Sequence, residues 1–436
     1  MSFQPPKRRA DFEVAIVCAL KIEFEAVCFV VEEFWDTSQD FYGKAAGDAN
    51  CYRTGRIGQH NVVLLLLSGV GKVNAANAAA SLHSSFTGLR LVLLVGGCAA
   101  VPQSNDTEIL LGDVIISTGV VQYDLGRMYP GDFVRKNTAG DSLSKPRKEI
   151  GNLLTALQIP HARDKLMERS AYLLTNLQRT MMMNGYGIKY QYPGVREDKL
   201  YEAGYRHKHR ATGCSTCNVK DDMACEAALH ATCEDLGCEE THLVIRKGLE
   251  KKLRLCQSGD ASHQNPNIFF GVFGSGDLVM KSGEYRDTLA RREEVIAFEM
   301  EAAGIWEEVP SLVIKGVFDY GDSHKSKRWQ AFASATAACV ARAIIEKFAW
   351  TDRGELQIPS HGIHYSLLDI SIGHNRWANE YLAIEGNRAI LGARQTNAIT
   401  NATQHTSGII KRNYASDKSE QSNIIMFASF WRRGKY

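Results

Sequence analysis

A chain of 436 residues, 44% hydrophobic and 23% charged, has room for two or three domains and can bury a large core. Its 51 basic and 49 acidic residues leave a net charge of only +2, which gives no electrostatic case for general binding to nucleic acid or to a membrane surface. No apolar run approaches the ~20 residues that span a bilayer, and no signal peptide is evident, so the chain reads as cytoplasmic; its eleven cysteines then favour reduced thiols or a metal over disulfides.

In chain order, the β-branched run Phe12–Cys18 predicts a buried strand, followed by a helical turn that carries Glu23. Cys51–Arg56 and Asn61–Leu67 flank a Gly-containing turn and predict a hairpin. The second arm ends in Ser68-Gly69-Val70-Gly71, and a helix of small residues, Lys72–His83, follows. Leu91–Val95 predicts another buried strand ending in Gly96-Gly97-Cys98-Ala99-Ala100, and Gly112–Ser117 a further one. The pattern resumes with strands at Ile268–Phe273, Ile296–Glu301 and Leu312–Phe318 and a long Ala-rich helix from about Ser326 to Phe348. Strands alternating with helices and glycine-rich turns imply an α/β domain over 11–349, with its ligand at the carboxyl ends of the strands. Residues 140–262 break the pattern and read as an insertion, partly helical (Ser170–Met183 and Cys225–Leu236) and rich in Cys and His in its second half. Residues 351–436, rich in Asn, Ser, Thr and Gly, read as a linker or poorly ordered tail.

Several motifs invite a chemical reading. Ser68-Gly69-Val70-Gly71-Lys72 is not a P-loop, because Leu66 and Val73 stand where that motif needs Gly and Ser or Thr. Cys214, Cys217, Cys233 and Cys238 form a candidate structural zinc set against the alternative of packed free thiols. The run Tyr205–Arg210 is a solvated cationic surface unless it folds over the strand ends to meet phosphate. More informative are three carboxylate motifs at strand ends: Glu23, Glu299-Met300-Glu301 and Asp319. One such group alone is usually a helix-start charge; three among glycine-rich turns suggest acid–base chemistry.

The segments CALKIEFEAV (18–27), SGVGKVNAA (68–76), LLVGGCAA (93–100), GDVIISTGVVQYD (112–124), GSGDLVMKS (274–282), FEMEAAGIW (298–306) and KGVFDYGDSHKSKRWQ (315–330) resemble, in order, the nucleoside phosphorylase and nucleosidase superfamily. The resemblance is strongest to its methylthioadenosine/S-adenosylhomocysteine nucleosidase branch, and in particular to the nucleosidase-like domains of fungal immune-receptor-type proteins, whose own insertion YPGVREDKLYEAGYRHKH (192–209) resembles. It implies a three-layer fold with a central mixed sheet and helices on both faces. It also implies cleavage of the N-glycosidic bond of a purine nucleoside or nucleotide without a metal in the chemistry. Glu23 matches the acid that activates water, with Glu25 only two residues away, and Asp319 the acid that protonates the leaving purine. Glu301 matches the anchor of the ribose hydroxyls and Met300 a residue packed on the ribose. Val279, where an aromatic is usual, and Met280 match the base-binding strand, and Glu299, Gly97 and Ala99 complete the expected substrate contacts. The phosphorylases' phosphate-binding arginines have no match, so water is the expected nucleophile. Phosphorolysis is one alternative, and a catalytically weak ligand-sensing or assembly domain is another. A nucleotide substrate would draw on Arg127 or on Arg206, His207 and Lys208. Phe273 adds bulk that could narrow the pocket, and Phe318 and Gly321 also depart from the fungal pattern. Homo-oligomers are expected by analogy.

Overall fold

The computed structural model describes residues 4–35, 42–104, 107–138, 142–143, 145–210, 213–219 and 224–348, together with five strands between 383 and 426. Those five strands, Ala383–Glu385, Arg388–Ile390, Asn397–Ile399, Ile409–Ser416 and Ser419–Met426, pair antiparallel in a sheet of their own. Otherwise the linker or tail expected over 351–436 lies outside the described residues.

The N-terminal unit is built on nine strands: β1 (Val14–Cys18), β2 (Glu33–Phe34), β3 (Tyr52–Ile57), β4 (His60–Leu66), β5 (Leu91–Ala100), β6 (Val114–Gln122), β7 (Ile268–Ser275), β8 (Val295–Glu299) and β9 (Ser311–Asp319). They stand in one sheet in the order β8-β7-β6-β9-β5-β1-β4-β3-β2. The sheet is mixed: β1 runs parallel to β4 and β5, β5 parallel to β9, and β6 parallel to β7, but β6 meets β9 antiparallel. The central strands β1, β5 and β9 are largely apolar and almost wholly buried, as expected of strands covered on each side; Lys315 of β9 is the notable charge among them.

One further pairing shapes the domain. β8 returns to β5 antiparallel, with Ala297 opposite Ala100 and Phe298 opposite Ala99. Strands β5, β9, β6, β7 and β8 thus close into a ring, while β1, β4, β3 and β2 extend from it as an open wing. β5 runs five residues beyond the expected Val95, through Gly96 and Gly97. Glycines that read as a turn lie inside a strand because two side chains press on it. A Cβ on Gly96 would lie 2.4 Å from Glu23 Oε1, and one on Gly97 would lie 2.2 Å from the Phe318 ring.

Helices cover the sheet: α1 (Lys21–Cys28), α2 (Lys72–Ser85), α3 (Lys148–Gln158), α4 (Pro160–Met183), α5 (Gly283–Glu293), α6 (Ala302–Ile305) and α7 (Gln330–Ile345). Almost every residue of α7 is buried, because it is apolar all round and lies between β5, β9, α1 and α4. The first half of the 140–262 segment is part of this core. Ile150, Leu154 and Leu157 of α3 and Leu166, Leu173, Leu174 and Leu177 of α4 join the main apolar cluster. Its second half has a separate small cluster centred on Cys217, Ala228 and Leu236.

Close backbone contact sets two distances. A Cβ on Gly316 of β9 would lie 2.0 Å from the Ala333 carbonyl oxygen of α7, and one on Gly304 of α6 would lie 2.1 Å from that of Lys72 in α2. Gly316→Ala is therefore expected to destabilise the domain by about 1–3 kcal/mol or more in urea unfolding, because helix and strand must part. Gly151→Ala, inside α3 with nothing within 4 Å of the new methyl, is expected to stabilise it by about 0.5–1 kcal/mol. Equal effects of the two changes would refute this view of the packing.

Candidate active site

The ring closure brings sequence-distant carboxylates together. Ala99 is the register partner of Phe298 on one side and of Asp319 on the other. The end of β8, with Glu299, Met300 and Glu301 behind it, therefore faces the end of β9 with Asp319. Glu23 arrives from the neighbouring strand β1 as the third residue of α1. Its carboxylate folds back over the helix start, where Oε2 accepts from the amides of Ala19 (3.1 Å) and Leu20 (2.9 Å) and Oε1 from that of Gly97 (2.8 Å). Glu25 points elsewhere and accepts from the Tyr190 hydroxyl at 2.9 Å.

Behind these groups lies Lys315, 1% exposed, in the middle of β9. Alternation along the strand turns Gly316 to α7 and Lys315 to the opposite side. Its Nζ donates to Glu301 Oε2 at 3.3 Å and stands 3.9 Å from Glu299 Oε2. Burial raises the pKa of Glu23, and the Lys315 ammonium is the largest influence opposing that rise. Glu299 has the same balance. The lysine is itself held above its ordinary value: burial works against its charge, but Glu301, Glu23 and Glu299 outweigh it. The sequence reading passed over Lys315, although a lysine inside the apolar run Leu312–Phe318 is a signal, since a buried charge requires a partner.

Glu301 also accepts from the amide of Gly71 at 3.3 Å. Gly71 has φ +100°, so the glycine-rich turn aims an N–H at this carboxylate rather than at a phosphate. Lys72 is committed to Asp124, 2.6 Å from both carboxylate oxygens. Glu299 also caps the start of α6, accepting from the amides of Glu301 (3.0 Å) and Ala302 (2.9 Å).

Asp319 Oδ1 accepts from Gly321 N at 2.7 Å, and Oδ2 stands 2.6 Å from Lys325 Nζ. Burial pushes its pKa up, with Lys325 opposing. Gly321 adopts φ +62°, and Met280 lies where its side chain would go, 2.9 Å from an added Cβ, which explains why glycine follows Tyr320. Lys325 lies over the Phe318 ring at 4.7 Å. Neither Lys325 nor Phe318 was singled out as a site residue by the sequence.

A cavity of about 100 Å³ gathers Glu23, Gly97, Ala99, Val279, Met280, Glu299, Met300, Glu301, Phe318 and Lys325. Asp319 adjoins it through its neighbour Phe318 and its ion pair with Lys325. Val279 is exposed at the rim, and Met280 is buried. Phe273 is fully buried in the core and does not narrow the cavity. The four cations expected to meet phosphate do not line it. Arg127 is exposed on a hairpin strand, Arg206 pairs with Glu284 at 2.7 Å, Lys208 donates to the Cys217 carbonyl, and His207 turns to Cys233 and Cys238. The proposed zinc set is also divided. Cys214 and Cys217 cluster with His209 and Cys225, and Cys233 and Cys238 with His207, because the Tyr205–Arg210 run supplies imidazoles to both. Among the described residues, no helix is long and apolar enough to cross a membrane.

Residues 13–166 match the family model described as phosphorylase superfamily. A nucleotide-binding leucine-rich repeat (NLR)-like protein of Hyaloscypha variabilis is 30% identical over 348 residues, covering 78% of this chain; the chain spans only 30% of that relative's length. Solved structures with similar chain paths include the futalosine hydrolase of Helicobacter pylori (14% identity, 77% of this chain and 98% of that one, TM-score 0.41). Another is the 5′-methylthioadenosine/S-adenosylhomocysteine nucleosidase of Colwellia psychrerythraea with adenine (14% identity, 78% and 96%, TM-score 0.44). The match to the phosphorylase superfamily thus covers residues 13–166 of the N-terminal unit, from β1 through α3 to the start of α4.

Proposed function

We propose that the domain hydrolyses the N-glycosidic bond of a purine nucleoside or nucleotide. The observation that carries this reading is that Glu23 and Glu301 line one cavity with the buried Lys315 ammonium behind them, and that Asp319 adjoins it through Phe318 and its ion pair with Lys325. Breaking the bond leaves positive charge on the sugar and negative charge on the base. In this reading Asp319, whose pKa burial raises, delivers a proton to the departing purine. Glu23, whose charged form the Lys315 ammonium favours, takes the proton from the attacking water, and Glu301 holds the ribose hydroxyls. A pair of carboxyl groups serving as acid and base is a recurring arrangement. Lys325 is the cation that lines the cavity, and it is engaged with Asp319; this favours water over phosphate as nucleophile.

A second reading is a ligand-sensing domain with little turnover. A cavity of about 100 Å³ is smaller than the ~300–1,000 Å³ usual for small-molecule sites, so a whole nucleoside needs the rim residues Leu278, Val279 and Lys325 to move. Incubation with adenosine, inosine, methylthioadenosine, AMP and ATP, with and without phosphate, and chromatography of free base separates the readings. Base release without phosphate is expected. Release only with phosphate would establish phosphorolysis, and binding by calorimetry without any release would establish the sensor.

Asp319→Asn is expected to lower the rate about 10²–10⁴-fold; wild-type rates in that variant would remove Asp319 from the chemistry. The rate should fall as pH rises through the pKa of Asp319, and fall again as pH drops through that of Glu23. Because the Lys325 ion pair lowers the Asp319 pKa, Lys325→Met should move the alkaline limb of kcat/KM to higher pH. An unmoved limb would sever the two residues.

Lys315→Met strips the countercharge from Glu23 and Glu299 and raises both pKa values further. A buried acid with a raised pKa costs stability as pH climbs through that pKa. The variant should therefore lose about 3–5 kcal/mol at neutral to mildly alkaline pH and less in acid, as read by urea unfolding across pH. A loss independent of pH would mean that Lys315 acts by packing alone.

A further inference from the structure

Outside the carboxylate cavity, the densest cluster of chemically competent side chains lies in the second half of the insertion. Among the described residues between 199 and 246, the only helices longer than a 3-10 turn are Ser215–Val219, Glu226–His230 and Cys233–Leu236. Their apolar cluster consists of buried Cys217, Ala228 and Leu236, with Cys214, Ala224, Cys225, Ala231 and Cys238 partly buried around them. So small a cluster cannot offset the entropy of ordering such a segment, and small folds of this kind need a covalent or metal staple.

The donors are arranged for a metal. His209 Nδ1 and the sulfurs of Cys214, Cys217 and Cys225 all lie within 4.8 Å of one another. The imidazole nitrogen stands 3.6 Å from Cys217 Sγ and 3.4 Å from Cys225 Sγ. Zn–S bonds of about 2.3 Å and Zn–N bonds of about 2.0 Å at tetrahedral angles would place nitrogen and sulfur about 3.5 Å apart. The Cys225 amide meets Cys217 Sγ at 3.5 Å, a contact that stabilises a thiolate.

A second cluster repeats the geometry. His207 Nδ1 stands 3.7 Å from Cys233 Sγ and 3.5 Å from Cys238 Sγ. The other ring nitrogen, Nε2, is 3.0 Å from the Ala231 carbonyl and donates to it, so the Nδ1 lone pair is free for a metal. A second ring nitrogen donating to a backbone carbonyl is the usual support of a metal-bound imidazole. One lone pair facing two sulfurs is not accounted for by a single S–H donor.

We propose that residues 199–246 bind two zinc ions, one held by His209, Cys214, Cys217 and Cys225 and the other by His207, Cys233 and Cys238. The first set completes a tetrahedron and is structural. The second supplies three ligands; His207 and Cys233 also line a cavity of about 630 Å³ with Asp319 and Lys325, and water from that side completes the coordination. Zinc here would fasten the insertion to the segment that carries Asp319. The His207 amide donates to Ser323 Oγ at 3.3 Å, and the His324 ring stacks on Tyr201 with centroids 4.1 Å apart. Arg246, at the far end of the same segment, bonds the Tyr320 hydroxyl at 2.5 Å and Asp198 Oδ1 at 2.8 Å.

The test is the metal content of the full chain, purified without chelator, by elemental mass spectrometry, with X-ray absorption at the zinc edge on the wild type. Two zinc ions per chain are expected, with a mixed sulfur and nitrogen shell near 2.3 and 2.0 Å. Cys225→Ser and Cys233→Ser should each lose one of the two, whereas Cys51→Ser and Cys256→Ser, at exposed positions outside both clusters, should keep both. Unchanged zinc in Cys225→Ser overturns the first site, and unchanged zinc in Cys233→Ser the second. A wild-type chain that holds no zinc, takes up none on anaerobic titration, or links these cysteines as disulfides overturns both. If a variant fails to fold, the stoichiometry and absorption spectrum of the wild type decide.

Discussion

A lysine ammonium sealed inside a sheet must be matched by negative charge from whatever else is sealed with it. Lys315 meets that condition by drawing Glu301, Glu299 and Glu23 to the same side of β9. The need is mutual: the carboxylates are also out of water, and burial raises the pKa of Glu23 and of Glu299 against the pull of the lysine. The cluster therefore holds together only as a set. Backbone amides from Ala19, Leu20, Gly71 and Gly97 take up further lone pairs of Glu23 and Glu301, so much of what faces these acids is main chain. An arrangement of this kind fixes charge in place where water is scarce.

Strand pairing makes that set possible. β8 pairs with both β7 and β5, and the ring so formed places Ala99 between Phe298 and Asp319. A closed ring has strand ends that converge, while an open sheet would have spread them along an edge. The glycines follow from this. Gly96 and Gly97 let β5 pass beneath Glu23 and Phe318, and Gly316 lets α7 lie directly on β9 while its neighbour Lys315 faces the acids. The small residues are thus paired with particular large or charged ones, and each accounts for the other.

The insertion stands apart in composition but not in contact. Asp198, Arg246 and Tyr320 form a buried triad in which the arginine bonds both other side chains and the tyrosine hydroxyl donates to the carboxylate at 2.7 Å. Tyr320 directly follows Asp319, so the insertion is braced against the proposed acid. His207 and Cys233 of the same segment line a cavity with Asp319, which ties the order of the segment to that of the proposed acid.

The sequence by itself determined the elements of the α/β core, because β-branched apolar runs and Ala-rich helical runs have few alternatives once both faces must be buried. It also marked out three strand-end carboxylates, since charges amid glycine-rich turns and apolar strands stand out against their surroundings. It did not reveal α3, whose apolar stripe of Ile150, Leu154 and Leu157 is short, the start of α4, where Arg163, Asp164, Lys165, Glu168 and Arg169 outnumber the apolar residues, or the continuation of β5 through Gly96 and Gly97. Only the tertiary structure decided that Glu23 rather than Glu25 enters the cavity, that Glu299 caps a helix, and that Lys315 sits between the acids. It also separated the cysteines into two clusters with different histidines, and kept Arg206, His207 and Lys208 off the cavity that Glu23 and Glu301 line. The physical reason is common to all of these: the partner of a charged or ligating side chain is set by which strand ends meet, and that pairing joins residues hundreds of positions apart, beyond the reach of any local pattern.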